Sequence, residues 1–459
     1  MKNKSRRDFI KKAGIAATSL IVVPTIVPVS CLGRKGQTAP SDRINVAFIG
    51  AGNQAENDIK SFLADDRVQV TTICDVNKMS KGYWSDRWGG REYIMRLTNK
   101  HYSEKFGRKY DATVGVEDFR EVLSDKQIDA VEIVTPDHWH TIPVLMAAAA
   151  KKDIYCQKPL SLTIAEGRAM SDAVKHHDVV FQTGSQQRSN AHFRRICELV
   201  VNGRIGDIHT VICGLPAGTP DFGKKAHLTD IAPVPEDFNY DMWLGPAPYV
   251  PYRPCSSHVN FRWVLDYSGG QLTDWGGHHP DIAQWGMETQ YTGPVKIQNA
   301  KGQWSKHPVY NTATQFYFES MFENGVKLVI ESGKNHGVTF IGSEGKVWAN
   351  RQAHKIEPES LADTVIGENE KHLYKSDNHF KNFIDCVISR EEPIAPVEVA
   401  HRSITIAHLG NIAMMLNTDL DWDPVSEKVT NVPEANKMLS RKMREPWDKI
   451  YKEYNVKPV

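Results

Sequence analysis

A run of apolar residues that breaks at a pair of glycines limits what this chain can fold into more than any other feature. From Ile44 it reads Ile-Asn-Val-Ala-Phe-Ile-Gly50-Ala-Gly52-Asn53-Gln54-Ala55. That is a buried strand, a tight turn and the start of a helix, here expected over 56–63. Gly50 permits the turn, Gly52 lets the backbone approach a pyrophosphate, and Ala55 keeps the helix close to the sheet. Phosphates would sit at the positive end of that helix, with Asn53 and Gln54 among the residues around them. A second strand, 68–74, ends in Asp75, twenty residues after Ala55. A carboxylate there accepts the ribose hydroxyls of NAD and repels the 2′-phosphate of NADP, so NAD is the expected cofactor and NADP the less favoured one.

The pattern repeats downstream. A helix over 116–124 precedes an apolar strand at 130–134, and Thr135-Pro136 marks the carboxyl end of that strand, where an open α/β sheet binds its ligand. His138 and His140 lie just past it and are expected to line a nicotinamide pocket. A helix at 143–150 and a short strand at 154–156 then lead to Gln157-Lys158-Pro159. Residues 43–182 therefore read as a doubly wound parallel sheet of the Rossmann type. Beyond Thr183 the polarity alternates along 208–214, 295–300, 314–322 and 326–332, which suits an open, largely antiparallel sheet with helices on one face. The free face would serve a substrate pocket or a subunit contact, so a homo-oligomer, dimer or tetramer, is expected. Residues 214–260, rich in Pro and Gly, read as an insertion that could wall an active site, and helices return at 378–389 and 397–416. The fold class is α/β: a Rossmann domain followed, over 183–459, by an α+β domain with its last helices packed back on the first.

The first 42 residues read as an address and a linker. Ser5-Arg6-Arg7-Asp8-Phe9-Ile10-Lys11 followed by a broken apolar stretch resembles a twin-arginine export signal, and the stretch is too interrupted to span a membrane. The twin-arginine export machinery is thus an expected partner and the periplasm the expected destination, with lipid anchoring at Cys31 as the alternative. Proteins exported that way cross the membrane folded, which agrees with a tightly held nucleotide. The 7 cysteines are scattered with neither a disulfide nor a zinc spacing. With 56 Lys+Arg against 55 Asp+Glu and no sustained run of one sign, nothing suggests a nucleic-acid partner.

Taken together, the Gly50/Gly52/Ala55 turn, Asp75, Thr135-Pro136-x-x-x-His140, Lys158-Pro159 and Gly269-Gly270-Gln-Leu-Thr-Asp274-Trp-Gly-Gly-His278 resemble the glucose-fructose oxidoreductase and inositol dehydrogenase family, Gfo/Idh/MocA, in the family's own order. The stretch from Ala435 to Trp447 resembles the ending of exported members. One departure stands out: Gln157 occupies the place of a glutamate, removing a carboxylate that would favour the charged form of Lys158.

The resemblance implies an NAD-dependent oxidoreductase acting on a secondary alcohol of a sugar, glycoside or polyol, with Lys158, Asp274 and His278 as the catalytic group. Such chemistry needs a base for the hydroxyl proton and a group that stabilises alkoxide character. His278 is the expected base, because imidazole titrates near neutrality. Asp274 would orient it or grip the sugar and Lys158 would polarise the reacting oxygen; the reverse, with Lys158 as base, stays open. Four apart, Asp274 and His278 share a face if the segment is helical, or converge from a turn if the helix starts near Pro280. Arg188, His192 and His279 are the further substrate contacts the resemblance implies, with an ordinary ion pair the equal alternative for Arg188 and His192. His278-His279 with Asp274 and Asp281 could be read as a metal site, but the spacing fits no metal pattern and none is expected. Two other functions remain in view, a glycoside-cleaving enzyme working through a transient keto-sugar and a non-catalytic sugar-binding protein.

Overall fold

The first sheet positions the glycine turn, Asp75 and Lys158. The computed structural model describes residues 42–454; the segment expected to be an export signal, Cys31 and the linker up to residue 41 lie outside them. Strand β1 (Ile44–Ile49) runs through the turn at Gly50 into helix α1 (Asn53–Ala64), one turn longer at its start than the apolar pattern implied. Strand β2 (Val68–Cys74) follows, then helix α2 (Arg91–Phe106), strand β3 (Val114–Val116) and helix α3 (Phe119–Ser124). The single helix expected over 116–124 is thus a strand and a helix, divided where the Asp118 side chain accepts the Arg120 N–H and caps the helix. Strand β4 (Ala130–Ile133), helix α4 (Thr141–Ala149), strand β5 (Asp153–Cys156), helix α5 (Ile164–His177) and strand β6 (Phe181–Thr183) complete the unit. The six strands pair in the order β3-β2-β1-β4-β5-β6, all parallel. Strand order reverses between β1 and β4, and an open sheet binds its ligand at such a point.

Helix α6 (Ala191–Val201) leads to strand β7 (Ile208–Leu215), the middle of the second sheet. After the insertion come the short helices α7 (Tyr240–Leu244), α8 (Gln271–Gly276) and α9 (His279–Gly286). Strands β8 (Lys296–Trp304), β9 (Ala313–Met321), β10 (Lys327–Ser332), β11 (Gly337–Gly342), β12 (Lys346–Ala349), β13 (His354–Glu357), β14 (Leu420–Asp423) and β15 (Lys428–Val429) build the rest. The nine strands lie in the order β13-β12-β11-β7-β10-β9-β8-β14-β15 and are antiparallel except for β7 against β10. Alternating burial along β9 and β8 places one face against the helices and leaves the other towards solvent, as the polarity pattern requires.

Helices α10 (His379–Ser389) and α11 (Val397–Leu416) return to the first sheet. Phe383, Ile384 and Cys386 of α10 are buried in the same cluster as Phe48, Phe62 and Tyr155. The Phe62 ring meets Phe48, Tyr155 and Phe383 edge-on at 5.4, 6.1 and 6.4 Å, the arrangement aromatic quadrupoles favour. Helix α11 is tied to α5 by Arg168, which bonds Glu398 at 2.7 and 2.9 Å and Glu427 at 2.7 and 3.1 Å. All six described cysteines are free and buried. No helix among the described residues is long and apolar enough to cross a membrane.

Candidate active site

Gly50 sits at φ +106°, and a Cβ there would lie 2.6 Å from the Val134 carbonyl oxygen, so the turn admits only glycine. At Gly52 a Cβ would come within 3.2 Å of the Tyr83 ring. Helix α1 has no side-chain cap, which leaves first-turn N–H groups for an anion. Ala55 is buried and packs the helix down, its expected part. Asp75 accepts the N–H groups of Ala51 at 2.6 Å and Asn77 at 2.7 Å. Burial pushes its carboxyl up to about 6 against those two bonds. A carboxylate has about four acceptor positions, so two stay open for ribose hydroxyls.

A cavity of about 410 Å³ opens along this edge, lined by Gly50, Gly52, Asn53, Gln54 and Asp75 on one side and by Thr135, Pro136, Gln157 and Lys158 on the other. The buried Thr135 hydroxyl and Asn53 side-chain N–H have no hydrogen-bond partner among the described residues. A glycine cradle, an uncapped helix end, an open carboxylate and orphaned polar atoms together fit a dinucleotide. The insertion forms the remaining wall with Met242, Trp243, His258 and Val259. It is clasped to the loop after β2: the Tyr83 ring stacks on His258 at 4.5 Å and Trp84 on Phe222 at 4.1 Å. Backbone bonds from Lys78 to Asp237 (2.9 Å), Asn239 to Val76 (3.0 Å) and Ser85 to Phe222 (2.6 Å) fasten the same seam.

Lys158 closes the inner end. Its Nζ donates to Asp274 Oδ1 at 2.8 Å and to the Asp274 carbonyl at 3.0 Å, so the carboxylate lost at Gln157 is supplied from α8. Gln157 instead donates to Asp58 Oδ2 at 2.6 Å, and Gln54 to the other oxygen at 2.8 Å. Arg262 Nε reaches Asp274 Oδ1 at 3.4 Å. Burial alone would raise Asp274, but Lys158 and Arg262 outweigh it and hold the carboxyl at about 2. Helix α8 stops at Gly276 and His278 has φ −121° and ψ −68°, so Asp274 and His278 converge from a turn and share no helix face. The His278 ring is buried, and its Nδ1 has no partner among the described residues. Burial, with the charges of Lys158 and Arg351 added, pushes it well below the usual imidazole range. His278 is therefore neutral throughout the near-neutral range, which corrects the expectation that it titrates there. Asp274 bonds the two cations and does not orient His278.

Two family descriptions cover this arrangement: an oxidoreductase family with an NAD-binding Rossmann fold matches residues 44–185, and the C-terminal alpha/beta domain of the same family matches 191–449. The chain belongs to the Gfo/Idh/MocA oxidoreductase family. Among its relatives, scyllo-inositol 2-dehydrogenase (NAD(+)) of Bacillus subtilis is 25% identical over 305 residues, which is 64% of this chain and 78% of that one. Myo-inositol 2-dehydrogenase of Thermotoga maritima is 35% identical over 108 residues, 23% of this chain and 32% of its own. The WlbA dehydrogenase of Bordetella pertussis, solved with NADH and UDP-GlcNAcA, superposes with a TM-score of 0.57 at 16% identity over 82% of this chain and 98% of that chain, a likeness of fold alone.

Several side chains expected in the site of this Gfo/Idh/MocA protein lie elsewhere. His138 and His140 do not line the cavity. His138 turns its ring to the Trp243 carbonyl at 3.0 Å, and His140 bridges the carbonyls of Pro159 (2.7 Å) and Thr135 (3.0 Å), bracing the strand end against the Lys158-Pro159 turn. Arg188 is consumed by a buried pair with Asp281 at 2.7 and 2.9 Å. His192 faces His354 near the sheet edge, Nδ1 to Nδ1 at 2.8 Å, and His279 faces the Gly214 carbonyl at 3.0 Å. With Asp274, Asp281 and His279 all engaged, the metal arrangement has no common centre, and no group of three metal-binding side chains occurs among the described residues. Conversely, the cavity wall includes Asp137, Trp139 and Arg262, for which no part was expected, while Trp243 belongs to the insertion expected to wall the site. Asp137 lies inside the quoted Thr135-Pro136-x-x-x-His140 run, and that acid beside the strand end was the one available signal. Burial pushes it up to about 7, against Ser268 and Arg262.

Proposed function

We propose that this protein oxidises a secondary alcohol of a sugar, glycoside or polyol, or runs the reverse reduction, with tightly held NAD. The observation that carries the reading is the Lys158–Asp274 pair at 2.8 Å beside an unpartnered neutral His278, at the inner end of a cavity that starts on a glycine turn. NAD, when bound, supplies the hydride acceptor, and Gly50, Gly52, Asn53, Gln54, Asp75, Thr135 and Pro136 would hold it.

Lys158 has three N–H donors, and Asp274 takes two of them. The third is left for the substrate oxygen, where a fixed ammonium stabilises developing negative charge without reorganising. His278, neutral and free of hydrogen bonds to Nδ1, accepts the hydroxyl proton on a ring nitrogen. As the proton leaves oxygen and a hydride leaves carbon, the alcohol becomes a carbonyl. Asp274 serves as the anchor that keeps Lys158 aimed, with Arg262 on the same carboxylate oxygen.

Tight retention is supported by the clasp of Tyr83 and Trp84 against His258 and Phe222, which roofs the glycine turn. Export through the twin-arginine pathway to the periplasm belongs to the same reading, since an exported enzyme must carry its nucleotide with it. The sugar-polyol assignment is supported by the inositol dehydrogenases among the relatives. The test is purification without added cofactor, mass identification of the nucleotide carried, and a sugar panel followed by absorbance of the reduced nicotinamide. A nucleotide-bearing protein whose chromophore responds to a sugar or polyol is expected; material that neither retains nor takes up a dinucleotide would sink the proposal. Aryl glycosides in the panel report the glycoside-cleaving alternative through released aglycone.

A further inference from the structure

We infer that the substrate is an acidic sugar and that Arg351 receives its oxyanion. The inference rests on the function proposed above and narrows its substrate class. Two cations bond one carboxylate and a third stands over the next residue's ring. Lys158 and Arg262 both address Asp274 Oδ1, at 2.8 and 3.4 Å. Arg351 adds the third charge, its guanidinium carbon 4.7 Å from the ring centroid of Trp275, the residue that follows Asp274. The same Trp275 ring meets the His278 ring edge-on at 5.9 Å, which ties Arg351 to the reacting centre. Among the described residues the Arg351 side chain has no carboxylate partner, and the residue is exposed.

Its backbone is nevertheless fixed. Arg351 stands in the turn between β12 and β13, where Asn350 Oδ1 accepts the N–H groups of Gln352 and Ala353 at 2.8 and 2.9 Å. The Asn190 side chain at the start of α6 donates to the Arg351 carbonyl at 3.1 Å. His336 packs edge-on against the same Trp275 ring at 4.4 Å, so the indole that carries the guanidinium is itself held.

The local charge does not balance. Asp274 is the one acid firmly ionised here, and Asp137, facing Lys158 and Arg262, is held half-neutral by burial. The neighbouring imidazoles of His278, His279 and His336 are all pushed towards neutrality and supply no anion. A neutral sugar would leave at least one cation uncompensated. An oxyanion on the sugar would meet the planar fork of Arg351 with two parallel N–H bonds, the geometry arginine offers better than lysine. A sugar carboxylate and a sugar phosphate share that chemistry.

The test uses the protein as purified with its nucleotide. The methyl glucoside, galactoside and mannoside are each paired with the corresponding uronate, and hexose 6-phosphates form a third arm. Turnover is read by nicotinamide absorbance and binding by calorimetry. The acid of at least one pair is expected to exceed its neutral partner in kcat/KM by roughly 10- to 100-fold, as for a hydrogen-bonded charge. Arg351→Met should abolish that preference and Arg351→Lys keep part of it, with thermal melting confirming that both exposed-site variants fold. Uronate preferred over phosphate identifies a carboxylate source, and the converse a phosphate source. Neutral sugars used as well as acids in every pair, or a preference that survives Arg351→Met, would overturn the inference and leave the proposed function standing. Should no sugar be turned over at all, the proposed function fails, and calorimetry still judges the inference: acids that bind wild type no better than their neutral partners overturn it.

Discussion

Arg188–Asp281 and Lys158–Asp274 are ion pairs whose carboxylates stand seven positions apart in the chain, and they are built for different purposes. The first is closed. Two parallel bonds of 2.7 and 2.9 Å use the arginine fork, the side chains are 3% and 2% exposed, and Trp285 covers the guanidinium at 5.1 Å. The second is a point contact at 2.8 Å with 17% and 14% exposure, and its lysine lines the cavity. The other amino group of Arg188 donates to Gln290 Oε1 at 3.0 Å and the Ile394 carbonyl at 3.4 Å, so the closed pair locks segments together. An open pair keeps a donor free, and that spare valence is what chemistry requires. Residue type alone could not separate the two, since each is a basic side chain meeting an aspartate across a long stretch of sequence.

The contrast can be broken at several points. His278→Ala, beside the open pair, is expected to lower kcat by about 10²- to 10⁴-fold with nucleotide content unchanged, read by turnover and by bound-nucleotide absorbance. Full turnover in that variant would remove His278 from the chemistry. Arg188→Leu should act on the fold, because leaving Asp281 buried without its partner costs about 3–5 kcal/mol. Denaturant melts measure that loss, and a folded fraction as slow as His278→Ala would mean the closed pair also serves catalysis. Lys158→Met should lower kcat by about 10²- to 10³-fold, the usual effect of removing one donor to a developing oxyanion, with little change in the melt.

The smallest effect sharpens the comparison with a carboxylate that has no salt bridge. Asp75 is raised by burial from the ordinary 3.8 to about 6, whereas Asp274 is held at about 2. Between pH 7 and 5 Asp75 gains a proton and loses its capacity to accept ribose hydroxyls, so NAD affinity should fall about tenfold, while Asp274 stays ionised. Because the folded value lies above the ordinary one, the ionised form is the penalised one. The stability contribution of Asp75 is full below about pH 4 and is lost as pH rises through 6. Calorimetric NAD titrations across that range check the affinity; no change between pH 7 and 5 would deny Asp75 its role.

Much of the scaffold was legible because its signals are local. The apolar run into Gly50, the strand before Asp75 and the helices at 379–389 and 397–416 are set by periodicity and turn chemistry within a few residues. Strands β12 and β13 escaped notice, being four residues each and carrying Lys346, His354 and Lys355 at the sheet's edge. Lys158, Asp274 and His278, expected through the order of family motifs, lie close together. Arg188, His192, His138, His140 and His279 were misplaced for a physical reason: a polar side chain that satisfies a buried carbonyl or carboxylate has the same letter as one that meets a ligand. Arg262 and Arg351 were invisible for the complementary reason, since one stands in a 3-10 turn and the other in the turn between β12 and β13, whose courses are set by distant packing.

The aromatic cluster under the first sheet has a consequence for how the protein comes into being. Its interior is completed by Phe383, Ile384 and Cys386, which the ribosome adds long after the six strands have been made. Until that helix arrives, the faces of Phe62 and Tyr155 remain without a cover, and the excised segment 43–182 should behave as a loose, aggregation-prone intermediate. The nucleotide-binding half can thus mature only when synthesis of the chain is nearly finished.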